Sequence, residues 1–467
     1  MKRRSRGPKS LLIPLLCIAL LSCGSNGRDD KAGQPIPASG KIHQKVSCSE
    51  DPEVTYALYI PARINKGAKE PLPVIILLDP HASGLLPVQN YRDLAEKKGF
   101  MLMGSCDSRN GQAAAVTRHI TATLLSEAKH RLRADTLRIY LAGFSGGSRV
   151  ASLTALTTPG IEGVIGCGAG FPGMNQVPAV RFNYFGCAGL GDFNLPEMTG
   201  LGRMLGQAGV SHYIMTFAGS HEWPPAGTFA MAMDWMTFRA MKEGKLKKDE
   251  ELISAFMKQT GRIAGELTRT GKMFECHELL GFEISALEGI ADLNEVKEQT
   301  GQIERNQDYI AQAERRSRVL AEEQADQQRM MNDLFAKDLK WWKNQVKILN
   351  GKQTGGGDQE EAMKNKRLLS FLSLLCYSNA NAAIGQGNPE MVLKIIDIYE
   401  TADPGNPEPN YMRSFLLMER SDTAASMAQL GLAIDKGFAD RFRVLDQPQF
   451  QGLKEYRRYF DLVQKIK

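Results

Sequence analysis

Motifs that would assign this chain to a nucleotide-dependent or metal-dependent class are missing from it. The sequence has no phosphate-binding P-loop and no Gly-x-Gly-x-x-Gly fingerprint between a strand and a helix. Cys276, His277 and Glu278 are consecutive, but no second pair of ligands follows at metal-binding spacing. We therefore predict neither a cofactor nor a metal ion.

The chain also has little net charge and few cysteines. The formal net charge is +6, and Lys2, Arg3, Arg4, Arg6 and Lys9 contribute to it from the first nine residues. Without them no basic excess remains that would indicate nucleic-acid binding. The cysteines beyond the amino terminus are scattered, which favours buried free thiols over a disulfide framework, although an exported chain could oxidise one pair. They are Cys48, Cys106, Cys167, Cys187, Cys276 and Cys376.

The amino terminus resembles the signal of a bacterial lipoprotein. Basic residues precede an apolar run over 11–21 that is too short to span a bilayer, and Ser22 stands before Cys23. The resemblance implies a signal peptide over 1–22 and a lipid on Cys23, with the polar, glycine-rich residues 23–40 as a flexible tether. The alternatives are a simple secretory signal and an uncleaved anchor. We expect a lipid-anchored protein of the bacterial cell envelope, with the outer membrane favoured and the face left open.

Residues 41–242 alternate short apolar runs with stretches of helical spacing. The runs 74–78 and 163–167 are typical of buried strands, and 91–98 is typical of a helix. Such alternation predicts an α/β fold in which helices cover both faces of a mostly parallel sheet. Functional residues of such sheets collect at the carboxyl ends of the strands.

The most informative motif is Gly-Phe-Ser-Gly-Gly at 143–147. It follows the apolar run 139–142 and precedes residues with helical spacing at 148–156. A serine in a tight strand-to-helix turn exposes its hydroxyl, and glycines on both sides avoid collisions with the strand and the helix. Ser145 is therefore the candidate nucleophile.

A serine nucleophile needs an imidazole to accept its proton and a carboxylate to orient that imidazole. Asp192 follows the predicted strand 183–187, and His221 follows the predicted strand 213–217. The order Ser, Asp, His is that of α/β-hydrolases. Asp192 and His221 are the candidate acid and base, with Glu197 as the alternative acid.

Residues 41–242 resemble the α/β-hydrolase superfamily through the motif around Ser145, Gly191-Asp192 and His221-Glu222-Trp223-Pro224. The most similar groups are compact carboxylesterases, dienelactone-hydrolase-like enzymes and feruloyl-esterase or polyhydroxybutyrate-depolymerase-like enzymes. The resemblance implies that Ser145 attacks the substrate, that His221 acts as general base and then acid, and that Asp192 orients His221.

The resemblance also implies an oxyanion hole made of two backbone N–H groups. Gly146 would supply one, and His81 or Ala82, in the loop after 74–78, would supply the other. His81 either lines the substrate cleft or is purely structural. The polar segment 107–111 follows the apolar run 100–104 and either lines the cleft, with Arg109 contacting an anionic substrate, or forms an ordinary polar turn.

Beyond residue 242 the pattern becomes helical. Residues 243–350 lack proline from 249 onward and predict long helices, and 351–360 predicts a flexible linker. Residues 361–467 predict an all-α region that resembles a degenerate tetratricopeptide-like array. Such a region either binds a protein partner or packs against the hydrolase domain.

These observations together predict a membrane-tethered serine hydrolase that cleaves a small-molecule, carbohydrate or lipid ester and has no nucleic-acid partner. One alternative is a helical adaptor whose hydrolase-shaped domain no longer catalyses. The other is a serine peptidase, which we disfavour because no propeller or lid domain that would restrict peptide access is evident.

Overall fold

A mostly parallel β-sheet organises the first half of the chain. The computed structural model describes residues 35–62, 71–172, 179–354 and 359–466, and the sheet has eight strands within them. The strands are β1 (Ile42–Ser47), β2 (Thr55–Tyr59), β3 (Val74–Leu78), β4 (Met101–Ser105), β5 (Ile139–Phe144), β6 (Gly163–Cys167), β7 (Asn183–Gly189) and β8 (His212–Phe217). Their order in the sheet is β1-β2-β4-β3-β5-β6-β7-β8; β2 is antiparallel to β1 and β4, and the remaining neighbours are parallel.

Helices cover both faces of this sheet, which explains why its central strands are apolar throughout. Side chains alternate along a strand, so Ile75 and Leu77 of β3 face one apolar cluster while Val74, Ile76 and Leu78 face another. The covering helices are α1 (Leu85–Lys98), α2 (Ala114–His130), α3 (Gly146–Thr157), α4 (Leu195–Gln207) and α5 (Ala226–Lys242). The first cluster includes residues of α1 and α5, and the second includes residues of α2, α3 and α4. The predicted α/β fold is confirmed.

The rest of the chain is helical, as predicted. Phe256 and Phe282, from the first two of these helices, belong to the same apolar cluster as Trp235 of α5. The later helices form a separate cluster, and contacts join Ile36–Lys467 into one compact unit. The helices are α6 (Glu250–Arg269), α7 (Met273–Leu287), α8 (Asn294–Glu304), α9 (Gln307–Ala336), α10 (Leu339–Thr354), α11 (Gln359–Gly385), α12 (Pro389–Ala402), α13 (Glu408–Glu419), α14 (Thr423–Asp435), α15 (Arg441–Asp446) and α16 (Arg457–Lys465), with a 3-10 helix at Pro448–Leu453.

Helix α11 is long and apolar enough to cross a membrane by length and composition, and it is the one such helix among the residues that the structure describes. It packs against α9, α10 and α12, with Leu368, Leu372 and Cys376 buried in the helical cluster. Its charged residue Arg367 is also buried. These contacts are those of a core helix.

Two features differ from the sequence prediction. Strand β1 was not predicted, because its sequence IHQKVS lacks a clear alternation at the edge of the sheet. The linker predicted over 351–360 is helical at both ends, since α10 continues to Thr354 and α11 begins at Gln359. Gly351 lies within α10, and a glycine costs a helix only about 1 kcal/mol relative to alanine. The packing of Val346, also from α10, in the helical cluster offsets that cost. Residues 1–34, with the predicted signal and Cys23, and residues 355–358 lie outside the described parts of the chain.

Candidate active site

Ser145 lies in a strained turn between β5 and α3. Its backbone has φ 52° and ψ −119°, a conformation that non-glycine residues rarely adopt. The turn is tight: a Cβ on Gly147 would lie 1.9 Å from the carbonyl oxygen of Leu78, and one on Gly143 would lie 2.2 Å from the carbonyl oxygen of Gly147. The Ser145 N–H donates to the Cys167 carbonyl at 2.8 Å, which ties the turn to β6. The glycines that flank Ser145 are therefore required by this geometry.

Ser145, His221 and Asp192 form one chain of hydrogen bonds. The distance from Ser145 Oγ to His221 Nε2 is 2.9 Å, and that from His221 Nδ1 to Asp192 Oδ1 is also 2.9 Å. The three residues come from the ends of three strands, β5, β7 and β8. In this arrangement the imidazole can accept the serine proton while the carboxylate stabilises the resulting charge.

Two aromatic rings flank the imidazole. The Phe144 ring lies 4.7 Å from the His221 ring between centroids, and the Phe193 ring lies 4.3 Å from it. Because the side chain of His221 is only 20 % exposed, these rings limit both its rotation and its access to water. Phe144 precedes Ser145 in the sequence, and Phe193 follows Asp192.

Asp192 is completely buried in the turn after β7. Its Oδ1 also accepts the Asn194 N–H at 2.8 Å, while its Oδ2 is buried without a partner in the described part of the chain. Asn194 Nδ2 donates to the Gly168 carbonyl at 2.7 Å, which connects this turn to the end of β6. A carboxylate held in this way has one oxygen aimed at the imidazole.

Glu197, the alternative acid, has other partners. It lies in the first turn of α4, where Oε1 accepts the Gly170 N–H at 2.9 Å and Oε2 binds Arg149 at 2.8 Å. The carboxylate that contacts His221 belongs to Asp192. Glu197 instead holds the segment after β6 against α3 and α4.

The predicted donors of the oxyanion hole differ in their availability. Gly146 lies directly after Ser145, as the first residue of α3. The N–H groups of His81 and Ala82, in contrast, already donate hydrogen bonds within their own loop. His81 N–H donates to Asp79 Oδ1 at 2.9 Å, and Ala82 N–H donates to the Asp79 carbonyl at 3.2 Å. Either N–H would have to give up its bond to Asp79 to bind an oxyanion. The role of His81 or Ala82 as an oxyanion donor therefore stays a prediction.

Asn110 lies beside Gly146, and the sequence indicated it only as part of the polar segment 107–111, which either lines the cleft or forms an ordinary turn. A Cβ on Gly146 would lie 1.8 Å from Asn110 Oδ1 and 3.0 Å from Nδ2, so the exposed amide of Asn110 lies directly against Gly146. Its backbone N–H donates to the Pro80 carbonyl at 2.9 Å. The neighbouring Arg109, predicted as a possible substrate contact, is exposed and pairs with His81 through an isolated bridge. The position of Asn110 depends on pairing between two loops, which no local motif reveals.

Asp79 and Trp223 connect the loop after β3 to the segment that carries His221. Trp223 Nε1 donates to Asp79 Oδ2 at 2.8 Å, while the other Asp79 oxygens hold His81 and Ala82. The Trp223 ring also lies 5.9 Å from the Phe144 ring. Asp79 is buried, and its polar contacts join the loop after β3 to Trp223.

The cysteines near the site are free thiols. Cys167 and Cys187 are register partners at the ends of β6 and β7, and both are buried. Burial raises the pKa of the Cys167 thiol well above its ordinary value, and the adjacent Cys187 adds to the effect. Cys167 therefore stays protonated at neutral pH.

Cys276, His277 and Glu278, for which we predict no metal, have separate surroundings in the structure. No group of three or more His, Cys, Asp or Glu side chains that could hold a metal ion occurs among residues 35–62, 71–172, 179–354 and 359–466. Cys276 is buried and contacts Thr268, whereas His277 pairs with Glu304 at 3.1 Å.

A cavity of about 510 Å³ lies apart from the triad. It is bounded by α4 and β8 on one side and by α7 and α9 on the other, with Arg203, Glu278 and Arg316 among its lining residues. Burial raises the pKa of Glu278, and Arg316 opposes that shift. None of Ser145, Asp192 and His221 lines this cavity.

Comparison with known proteins gives only structural similarities. No protein-family model and no curated protein matches the chain. Among solved structures, the chain is similar to an S-formylglutathione hydrolase from Staphylococcus aureus, at 13% identity over 44% of this chain and 99% of that one with a TM-score of 0.32. An esterase from the archaeon Pyrobaculum calidifontis is similar at 11% identity over 44% of this chain and 87% of its own, with a TM-score of 0.36. An S-formylglutathione hydrolase from Agrobacterium tumefaciens is similar at 15% identity over 44% of this chain and 98% of its own, with a TM-score of 0.33.

Proposed function

We propose that this protein is a serine hydrolase that cleaves carboxylic esters. The observation that carries the proposal is the unbroken chain of hydrogen bonds from Ser145 Oγ through the His221 ring to Asp192. The strained backbone of Ser145 supports it, because strain of this kind persists only where the surrounding structure imposes it.

In the proposed reaction, His221 Nε2 accepts the hydroxyl proton as Ser145 Oγ forms a bond to the ester carbonyl carbon. The bond from that carbon to the alcohol oxygen then breaks, and His221 transfers its proton to the departing alcohol. Water next attacks the carbonyl carbon of the acyl-enzyme while His221 takes a proton from the water. The bond from that carbon to Ser145 Oγ then breaks, His221 returns its proton to Oγ, and the carboxylic acid leaves. Asp192 stabilises the imidazolium during both halves.

The negative oxygen of the tetrahedral intermediate needs donors near Gly146. We assign the first to the Gly146 N–H and the second to Asn110 Nδ2, which donates there once the side-chain amide rotates, because Oδ1, an acceptor, is the amide atom nearer to Gly146. His81 and Ala82 become donors only if the loop after β3 rearranges, because Asp79 holds both N–H groups.

Covalent labelling tests the nucleophile. A fluorophosphonate probe should label the wild-type protein and a Ser145→Ala variant should remain unlabelled, whereas Ser211→Ala, at an exposed position, should label normally. Hydrolysis of p-nitrophenyl esters should follow the same pattern. A folded wild-type protein that neither labels nor hydrolyses these esters would favour the non-catalytic adaptor.

We further propose that the protein acts in the bacterial cell envelope, anchored through a lipid on Cys23. The support is the basic, apolar and Ser22-Cys23 pattern of the amino terminus. Metabolic labelling with a palmitate analogue, followed by detergent phase partition, should mark the wild-type protein and a Cys17→Ala variant. Cys23→Ala should lose both the label and the membrane fraction, and its retention of the label would exclude this anchor.

A further inference from the structure

Two side chains from the helical region bind the loop that carries Asp192. Arg367 of α11 donates through Nη1 to the Leu190 carbonyl at 2.7 Å, and Gln327 of α9 donates through Nε2 to the Phe193 carbonyl at 3.0 Å. The two carbonyls lie two residues before and one residue after Asp192. Asp192 is thus held from both sides by residues far away in the sequence.

Arg367 is itself fixed by an ion pair. Its Nε lies 2.9 Å from both carboxylate oxygens of Glu323 on α9, and its Nη2 also donates to that carboxylate. Arg367 is 4% exposed and Glu323 is not exposed at all. A buried guanidinium held by a carboxylate in this fork geometry has little freedom, so Nη1 keeps its direction toward Leu190.

The remaining contacts of the loop show what the two donors control. Gly191 N–H donates to the Gly219 carbonyl at 2.8 Å, so this loop also touches the segment that leads to His221. The ring of Phe193 lies on the ring of His221, and Gln327 binds the carbonyl of Phe193. A shift of either carbonyl would therefore move the carboxylate or the ring that orients the imidazole.

We infer that Arg367 and Gln327 are positioning residues, through which the helical region holds Asp192 and Phe193 in register with His221. The inference rests on the proposed hydrolase function for its catalytic consequence. Misplacement of a reacting group by about 1 Å can cost about 100-fold in rate. The helical region thereby takes part in the active site.

Matched variants separate the positioning role of Arg367 and Gln327 from their contribution to helix packing. Gln327→Met removes the donor at similar size, and Gln328→Met, at an exposed position on the same helix, is its control. The double variant Arg367→Met with Glu323→Leu removes the second donor and leaves no unpaired buried charge. Its control is Lys364→Met with Glu322→Leu, which removes the neighbouring ion pair of 2.9 Å between the same two helices.

We expect kcat for a p-nitrophenyl ester to fall about 10-fold for Gln327→Met and up to about 100-fold for the Arg367 and Glu323 double variant, with KM unchanged. Melting temperatures should follow those of the controls, because the lost hydrogen bonds affect where the loop lies more than whether the chain folds. The inference would be overturned if the test variants showed no loss of kcat beyond that of the control variants and differed from the wild-type protein only by a change in KM or a fall in melting temperature that the controls share.

A spectroscopic measurement distinguishes failure of this inference from failure of the hydrolase proposal. The proton between His221 and Asp192 should give a downfield resonance that moves upfield in Asp192→Asn, where the hydrogen bond loses its negative partner, and shifts or broadens in both test variants, but not in the controls. This measurement needs no substrate, so it applies even if the wild-type protein hydrolyses no ester. An unchanged resonance in both test variants would refute the positioning role alone, whereas its absence from the wild-type protein would contradict the His221–Asp192 contact on which both proposals rest.

Discussion

Replacing Asp192 by Asn tests the charge at the end of the proposed triad. Asparagine has the shape of aspartate, and its carbonyl oxygen can still accept the His221 Nδ1–H and the Asn194 N–H that Oδ1 accepts now. The variant therefore keeps the geometry and loses the negative charge. We expect kcat for an ester to fall by orders of magnitude while KM changes little, since the charge matters only once His221 is protonated.

The size of the effect follows from the contact between the two groups. With the hydrogen bond at 2.9 Å, the imidazolium and carboxylate charge centres are about 4 Å apart, and at an effective dielectric constant of about 20 their attraction is about 4 kcal/mol. At about 1.4 kcal/mol per factor of ten, this corresponds to a kcat about 1000-fold lower. Stability should not fall with it, because the buried Oδ2 of Asp192 has no partner among the described residues and a neutral group is easier to bury there.

Steady-state hydrolysis of a p-nitrophenyl ester and thermal unfolding together check this prediction. Asp461→Asn, at an exposed position, removes the same charge from the chain and serves as the matched control. A kcat reduced less than about 10-fold in a folded Asp192→Asn protein would mean that its carboxylate does not stabilise the imidazolium. A large loss of stability would instead mean that the ionised group is needed for folding.

Three further predictions concern the turn, the oxyanion and a buried acid. Gly147→Ala should prevent folding or labelling of the site, because its Cβ would lie 1.9 Å from a backbone carbonyl oxygen of β3. Gly200→Ala, with open space around its Cβ, is the control, and the two variants are compared by circular dichroism and by fluorophosphonate labelling. Asn110→Ala should lower kcat for esters about 100-fold with little change in KM if its amide binds the oxyanion beside Gly146, and an unchanged kcat would return that role to the loop after β3. Burial raises the pKa of Glu283 above its ordinary value of 4.5, so its ionisation costs stability, and the cost grows as pH rises from about 4.5 through the folded-state pKa. Glu283→Gln should therefore raise the melting temperature at pH 7 but not at pH 4, and equal shifts at both would contradict this assignment.

The site was predictable from the sequence where its residues lie in short motifs. The turn at 143–147 can be recognised because an apolar run leads into it, and Asp192 and His221 each follow such a run. The hydrogen bonds between them could not be predicted, because they depend on the order of β5, β6, β7 and β8 in the sheet. Asn110 and Asp79 carry no signal of their own, since an Asn or Asp in a loop is most often only a turn residue.

The sequence by itself determined the elements whose physics is local: apolar strands, helices with regular spacing, and a glycine-flanked serine that only a tight turn accommodates. It also contained the amino-terminal pattern from which we expect a lipid anchor. Only the tertiary structure decided which of the candidate residues meet, because contacts between distant segments depend on strand order and helix packing. The pairing of Arg367 with Glu323 is the clearest case, since two charges far apart in an unremarked helical region become a buried pair that binds the loop carrying Asp192.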